Sequence, residues 1–390
     1  MDFSFTPEQE KLRVDIGEFL ENNLTSEYKN VLYDVAGVGV SKEFTKMLAK
    51  NGWIGMQWPE SYGGAGMGIM EYVIYREEMV MRGAPIGYHL TAENQMAPSI
   101  IINGTDEQKQ RIIPSIAKGE MSICIGYSEP NTGSDLASLQ TRADEDGDDF
   151  IINGVKTWNS GAIHSELIWL AARTNHDVPK HKGITVFLVE LDSPGITIDP
   201  IQNMARIGGF SNITFDNVRV PKSNIVGELD QGWYVVAQNL DFERSGIERV
   251  ASNYSIIYDF LEYIKTYGNN TRNNISNSLV RNRIADMFIE VEVGRYLAYN
   301  IAWMQSKGLV PNKEASISKV FGAETTKRNS QAMLEILGMY GGVDYTSHYS
   351  PIQGKVLRSW YGGISSTIAA GTSEIQRNII AMRGLGLPRT

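Results

Sequence analysis

The strongest constraint in this sequence is a double change of hydrophobic period. Up to about residue 119, apolar side chains recur at the three-to-four-residue spacing of helices. From about 120 to 231 they gather in short runs rich in β-branched residues, divided by turn formers, and from Gly232 onward the helical spacing returns. A chain patterned this way segregates helices from strands. The expected fold class is α+β, with an N-terminal helical domain over 1–119, a middle β-barrel or sandwich domain over 120–231, and a C-terminal helical domain over 232–390 built as a four-helix bundle.

The punctuation supports these boundaries. Thr6-Pro7-Glu8-Gln9 is a helix start, and Leu12, Ile16, Phe19 and Leu20 follow at helical spacing. Ser41 opens another helix that stops at Asn51-Gly52. Glu71 to Met81 is helical, and Thr105 caps the helix after Asn103-Gly104. In the middle region, Leu167–Ala172, Ile184–Val189 and Ile213–Phe215 read as strands, with Asp146-Gly147 and Asn153-Gly154 as turns. Beyond Gly232, the long apolar-striped runs Leu279–Gln305 and Ala315–Leu337 must pack on one another.

Composition narrows the function classes. A net charge of −9 disfavours general nucleic-acid binding, which needs a basic footprint. The single cysteine, Cys124, excludes an intramolecular disulfide, fits a reducing compartment, and lies in an apolar run as a core residue would. The opening MDFSFTPEQEKLR lacks the features of a signal peptide, and no apolar run reaches the ~18 to 20 residues needed to span a bilayer, so a cytoplasmic location is expected. The five histidines show no metal-ligand spacing, and there is neither a P-loop nor a nucleophile elbow.

The chemistry is expected between Ile123 and Gly161. An apolar run, Ile123 to Tyr127, reaches Ser128 and breaks into Glu129-Pro130-Asn131-Thr132-Gly133-Ser134-Asp135. Phe150-Ile151-Ile152 then meets Asn153-Gly154, a dipeptide suited to a tight hairpin turn, and Val155 to Trp158 delivers Asn159 and Ser160. Two strands ending in hydroxyl-bearing turns suit a planar, polar-edged cofactor. These residues, Tyr-Ser-Glu-Pro-x-x-Gly-Ser-Asp followed by Ile-Asn-Gly-x-Lys-x-Trp, resemble the flavin-binding signature of the acyl-CoA dehydrogenase family. The loop Pro59-Glu60-Ser61-Tyr62-Gly63-Gly64, the run Gly104-Thr105 to Gln108-Lys109, the stretch Phe215 to Pro221, and the tail from Gly371-Thr372 to Pro388 resemble the same family in the same order.

The resemblance implies α,β-dehydrogenation of an acyl-CoA thioester to the trans-2-enoyl-CoA. A carboxylate takes the α-proton, the β-hydrogen leaves as hydride to flavin N5 of FAD, and electrons pass on to an electron-transfer flavoprotein. By resemblance, Tyr127, Ser128, Trp158 and Ser160 hold the flavin, the two serines standing where threonine is common. Ser134 contacts the pantetheine arm of the substrate as well as the cofactor loop. Many members place the base just before Gly-Thr in the C-terminal motif; here that residue is Ala370, which keeps only its backbone N–H for the thioester oxygen, with Gly371 beside it. A second group of members carries the base on a helix, where this chain has Glu243, with Asp241 and Arg244 toward the CoA end. Gly338 to Gly342 resembles the loop that meets a neighbouring subunit's FAD; Glu335 stands where glutamine is usual, Thr372 and Glu374 face the adenosine half, and Arg272 is the candidate for the pyrophosphate. The implied assembly is a homotetramer, with a heterotetramer as the alternative. The competing functions are a non-catalytic FAD-binding partner subunit and a flavin oxidase or monooxygenase on the same scaffold.

Overall fold

The computed structural model describes residues 4–30, 39–205, 209–242, 246–267 and 275–388. Six helices come first: α1 (Pro7–Asn23), α2 (Ser26–Asn30), α3 (Lys42–Lys50), α4 (Ile69–Met81), α5 (Ala97–Asn103) and α6 (Asp106–Ala117). The strands follow: β1 (Ile123–Gly126), β2 (Arg142–Asp146), β3 (Asp149–Lys156), β4 (Leu167–Arg173), β5 (Ile184–Glu190), β6 (Ile196–Ile201), β7 (Phe210–Pro221) and β8 (Ile225–Val226). Helices α7 (Gly232–Phe242), α8 (Glu248–Tyr267), α9 (Ser278–Ser306), α10 (Asn312–Leu337), α11 (Lys355–Ser366) and α12 (Ser373–Ile379) complete the chain. Helical, β and helical domains thus succeed one another as the periodicity requires.

By contact, residues 24–68 and 84–243 form one compact unit, and residues 1–23, 69–83 and 244–390 another. In the first unit the strands make a sheet in the order β6-β7-β3-β2-β4-β5-β8, with β1 paired to β4 in parallel. β4 and β5 are buried along almost their whole length, so they read as continuous apolar runs rather than alternating ones. Phe150, Ile152, Ile168, Leu170, Phe187, Val189, Ile213 and Val218 belong to one core drawn from β3, β4, β5 and β7. Thr105 and Gln108 form a reciprocal capping box at the start of α6, and the Gln108 amide goes on to donate to the carbonyls of Ser223 and Ile225, both at 2.8 Å. One glutamine thereby caps a helix and ties it to the end of the sheet.

The structure corrects one local expectation. Asn153-Gly154 is no hairpin turn but lies inside β3; the β2–β3 turn is at Gly147, φ +64°. The ladder of β3 with β7 shifts by one residue at Gly154, because Asp216 and Asn217 of β7, both exposed, stand against the single residue Asn153. Asn217 takes the left-handed conformation, φ +52°, and its N–H donates to Asn153 Oδ1 at 2.9 Å. Gly154 is required because its φ is +151° and a Cβ there would lie 2.7 Å from Thr141 Cα. A bulge calls for the same permissive residues as a turn, which is why the sequence reads alike for both.

In the second unit α8, α9, α10 and α11 share a core that includes Ile257, Phe260, Ile284, Met287, Val291, Met333 and Val356. Gly294 of α9 lets α8 approach closely, since a Cβ would come within 2.3 Å of Val250 Cγ1. α1, α4 and α9 are joined by charge. Glu77, its side chain fully buried, accepts from Arg295 at 2.6 Å, Tyr299 at 2.6 Å and Arg13 at 3.0 Å. Burial alone would raise the Glu77 carboxyl, but these donors outweigh it and hold it below the usual carboxylate range.

Candidate active site

The end of β1 and the end of β3 meet. Thr157 N–H donates to the Ser128 carbonyl at 2.9 Å, which sets Ser128 beside the segment Thr157–Ser160. The join is locked from inside. Lys156, wholly buried, donates to Glu129 Oε1 at 2.8 Å and to the Tyr127 carbonyl at 3.1 Å. Glu129 also accepts from the N–H groups of Gln140 at 2.6 Å and Thr141 at 2.8 Å. Burial pushes the Lys156 ammonium down to about 8, against the pull of Glu129. Burial would raise Glu129, yet Lys156 and the two N–H donors keep it below the ordinary range. Glu129 is therefore a loop fastener. Asp135 has a similar task, pairing with Lys180 at 2.7 Å and accepting from Ser138 Oγ at 2.6 Å, which steadies the exposed segment carrying Ser134.

The turn after β3 is strained in an informative way. Trp158 has φ +61°, rare for a bulky residue, and its side chain is 58% exposed, edge-on to Phe210 at 6.1 Å. The strain is imposed from both sides: Thr157 is bonded to Ser128, while Asn159 and Ser211 exchange backbone hydrogen bonds at 3.0 and 3.2 Å. Such over-determined strain concentrates at functional sites. The indole is thus not a core aromatic. Asn159 is buried, with Nδ2 donating to the Ile125 carbonyl at 2.6 Å and Oδ1 without a partner among the described residues. Ser160 is exposed and Ser128 half-buried. Tyr127 is buried, its hydroxyl accepting from Trp169 Nε1 at 3.0 Å.

The second unit carries the remaining candidates at two places. At the C-terminal end of α10, Glu335 pairs with Arg283 at 3.3 Å and accepts from Gln331 at 3.1 Å, while Gly338 to Gly342 form a tight turn that is exposed except at Gly341. Between α11 and α12, Ala370 and Gly371 both have positive φ, +55° and +80°. Thr372 Oγ1 caps α12 by accepting from Ile375 N–H at 3.2 Å, and Gln376 donates to the Ala370 carbonyl at 3.2 Å. Ser373 Oγ is buried and has no partner among the described residues. The exposed Glu374 carboxyl is lowered by its own backbone N–H, with help from the Thr372 hydroxyl. Glu243, Arg244 and Arg272 lie outside the described residues, as does the side chain of Asp241; α7 is described up to Phe242.

These residues fit FAD. An exposed indole on a fixed backbone, two hydroxyl-bearing turns and the buried Asn159 Oδ1, which has no partner among the described residues, offer a flat face and unused polar atoms to a ring system. Sequence reasoning missed the buried Lys156. The signal was present, since Lys156 follows Phe150 and Ile152 at even spacing, on the inward face. Cys124 is buried, its thiol pushed up to about 12 by burial, and among the described residues no cluster of metal-binding side chains occurs. No described helix is long and apolar enough to cross a membrane.

The chain belongs to the acyl-CoA dehydrogenase family. The family's N-terminal, middle and C-terminal domain models match residues 6–120, 124–218 and 230–385. It is 36% identical to the acyl-CoA dehydrogenase FadE26 of Mycobacterium tuberculosis, covering 100% of this chain and 99% of that protein. It is 28% identical to the mitochondrial isovaleryl-CoA dehydrogenase of Pongo abelii, over 96% of this chain and 88% of that one. Among solved structures, the Tcur3481-Tcur3483 steroid ACAD matches with a TM-score of 0.90 at 32% identity, covering both chains fully. The ChsE4-ChsE5 complex from Mycobacterium tuberculosis matches with a TM-score of 0.89 at 35% identity, also over both full lengths. The protein is accordingly an oxidoreductase acting on CH–CH bonds of acyl-CoA, with FAD as cofactor.

Proposed function

We propose that the chain oxidises an acyl-CoA to its trans-2-enoyl-CoA with Glu243 as the base and passes the electrons to an electron-transfer flavoprotein. The observation that carries this is Ala370. The loop between α11 and α12 is fully built, with its Thr372 cap and Gln376 brace, yet the residue before Gly371 has no group able to take a proton. A carboxylate is still required, and Glu243 directly follows α7. FAD, when bound, supplies the two-electron acceptor. Ser128, after β1, and Trp158 and Ser160, on the strained turn after β3, hold it, with Tyr127 as a further contact. Glu335, Gly338, Gly342, Thr372, Glu374 and Arg272 are the proposed contacts to the rest of the cofactor. Ser134, Asp241, Arg244 and Gly371 bind the substrate, and the Ala370 N–H stabilises the thioester oxygen as negative charge grows there.

Glu243→Gln tests the base. It should keep FAD and bind acyl-CoA while its flavin is bleached at least about a hundredfold more slowly under anaerobic conditions. Bleaching at the parent rate would place the base elsewhere. A second reading has its own support: two structural relatives are described as pairs of differently named chains, Tcur3481-Tcur3483 and ChsE4-ChsE5. Here the chain would be one half of a mixed assembly. Light scattering and FAD content of the chain expressed alone separate a self-sufficient homotetramer from a subunit that awaits a partner. Slow reoxidation in air separates either from an oxidase.

A further inference from the structure

Helix α9 is apolar on two sides. Its inner side, with Ile284, Met287, Val291 and Ala298, is buried. Its outer side carries Ile289, Val293, Tyr296 and Trp303, which are 60%, 44%, 52% and 39% exposed. These four recur at helical steps, so they form one stripe, with the half-buried Asn300 between the last two. A helix apolar on both sides is normally buried on both. Large apolar side chains gathered on one exposed stripe therefore mark a surface that another molecule covers.

The stripe is bounded by one charge at each end. Asp286 stands one turn before Ile289, and Lys307 one turn after Trp303, on the same side by helical spacing. Both are exposed, and neither side chain has a hydrogen bond or ion pair among the described residues. Their neighbours differ: Arg283 pairs with Glu335 and Glu290 with Arg328, both across to α10.

An order of acid, apolar stripe and base is its own complement when two copies of the helix run antiparallel. A two-fold axis beside Tyr296 sets Tyr296 against its own copy, Val293 against Asn300, Ile289 against Trp303, and Asp286 against Lys307, each pair lying about equally far on either side of the axis. A parallel pairing would instead set Asp286 on Asp286 and Lys307 on Lys307, which like-charge repulsion disfavours. The free charges thus select both the direction and the register.

We propose that the outer face of α9 is an interface between two copies of this chain, paired antiparallel about a two-fold axis at Tyr296. The pairing is independent of which residue is the catalytic base.

The test uses the full FAD-loaded chain. Tyr296→Cys should form a disulfide-linked pair on oxidation with copper phenanthroline in air, since residues on the axis meet their own copies and the native Cys124 is buried. Ile289→Cys should not link to itself, because its two copies lie about 20 Å apart along the helices. It should link to Trp303→Cys when the two variants are co-expressed. In sedimentation, Val293→Glu should halve the mass at a concentration where the parent is fully assembled, with the dissociation constant raised about thirtyfold or more. Asp286→Lys alone should raise it about tenfold, and adding Lys307→Asp should bring it back to within about threefold of the parent. A monomeric parent, a Tyr296→Cys chain that never links to itself, or an Ile289→Cys chain that does would each overturn the proposal.

Discussion

The buried Lys156–Glu129 pair gives a sharp prediction through Glu129→Gln. The carboxylate takes three N–H donors: Lys156 and Thr141 on Oε1, and Gln140 on Oε2. Glutamine offers one oxygen. If that oxygen keeps Lys156 and Thr141, the new amide nitrogen faces the Gln140 N–H, donor against donor. The Lys156 ammonium also loses its only carboxylate partner among the described residues, in a place with no solvent access. Breaking a buried pair from one side costs about 3–5 kcal/mol. With a urea slope of about 2 kcal/mol/M, the unfolding midpoint of the β region should fall by about 1.5 M or more. Tryptophan fluorescence reads it, Trp169 being fully buried in that unit. Adding Lys156→Met should recover much of the loss, because replacing both partners leaves no orphaned charge. The pH dependence carries a sign. The folded-state pKa of Lys156 lies at about 8, below its ordinary ~10.4, so between those values the unfolded chain binds more protons and stability rises with pH, while below about 8 the cost is constant. Lys156→Met should abolish that rise relative to the parent. A Glu129→Gln midpoint within a few tenths molar of the parent would refute the reasoning.

Other outcomes follow from the same structure. Glu77→Gln should destabilise the helical unit by about 3–5 kcal/mol. Because the Glu77 carboxyl is held low, its contribution is present above the ordinary carboxylate value of ~4.3 and is lost as pH falls below it, so acid unfolding of the variant should be shallower. Trp158→Ala should cost less than about 1 kcal/mol of stability, since the indole is exposed, yet weaken FAD measurably in an equilibrium titration; unchanged affinity would detach the residue from the cofactor. Ala370→Gly relieves a left-handed alanine and should raise stability by up to about 1 kcal/mol by thermal unfolding, and a loss there would mean that the conformation is not strained.

The order of helical, β and helical domains was legible because hydrophobic period is a local property, available before any long-range contact is known. Helix caps were equally readable: Ser41 and Thr105 lie beside the N–H groups they satisfy, whereas Thr372, read only as a cofactor contact, is a cap as well. What escaped notice depends on segments far apart in the chain. Lys156 could not be assigned to Glu129 until β1 and β3 were seen to converge, and Trp158 reveals nothing of its φ in its flanking residues, because that angle is imposed by Ser128 on one side and Ser211 on the other. Asn153-Gly154 misled for the opposite reason: the local signal was true to the backbone angles but silent on whether the chain reverses or only steps sideways.

That sideways step has a consequence for how this protein can vary. On β7 the inward positions are odd-numbered before the bulge, Ser211, Ile213 and Phe215, and even-numbered after it, Val218 and Val220. The bulge is a parity switch. Removing one residue between Phe215 and Val218 would turn Val218 and Val220 outward and drive Arg219, now paired with Asp146 and Asp149, into the apolar layer. Residue identity at Asp216 and Asn217 can therefore drift among turn formers, but chain length at that spot cannot, and the two halves of the strand answer to separate packing demands on either side of it.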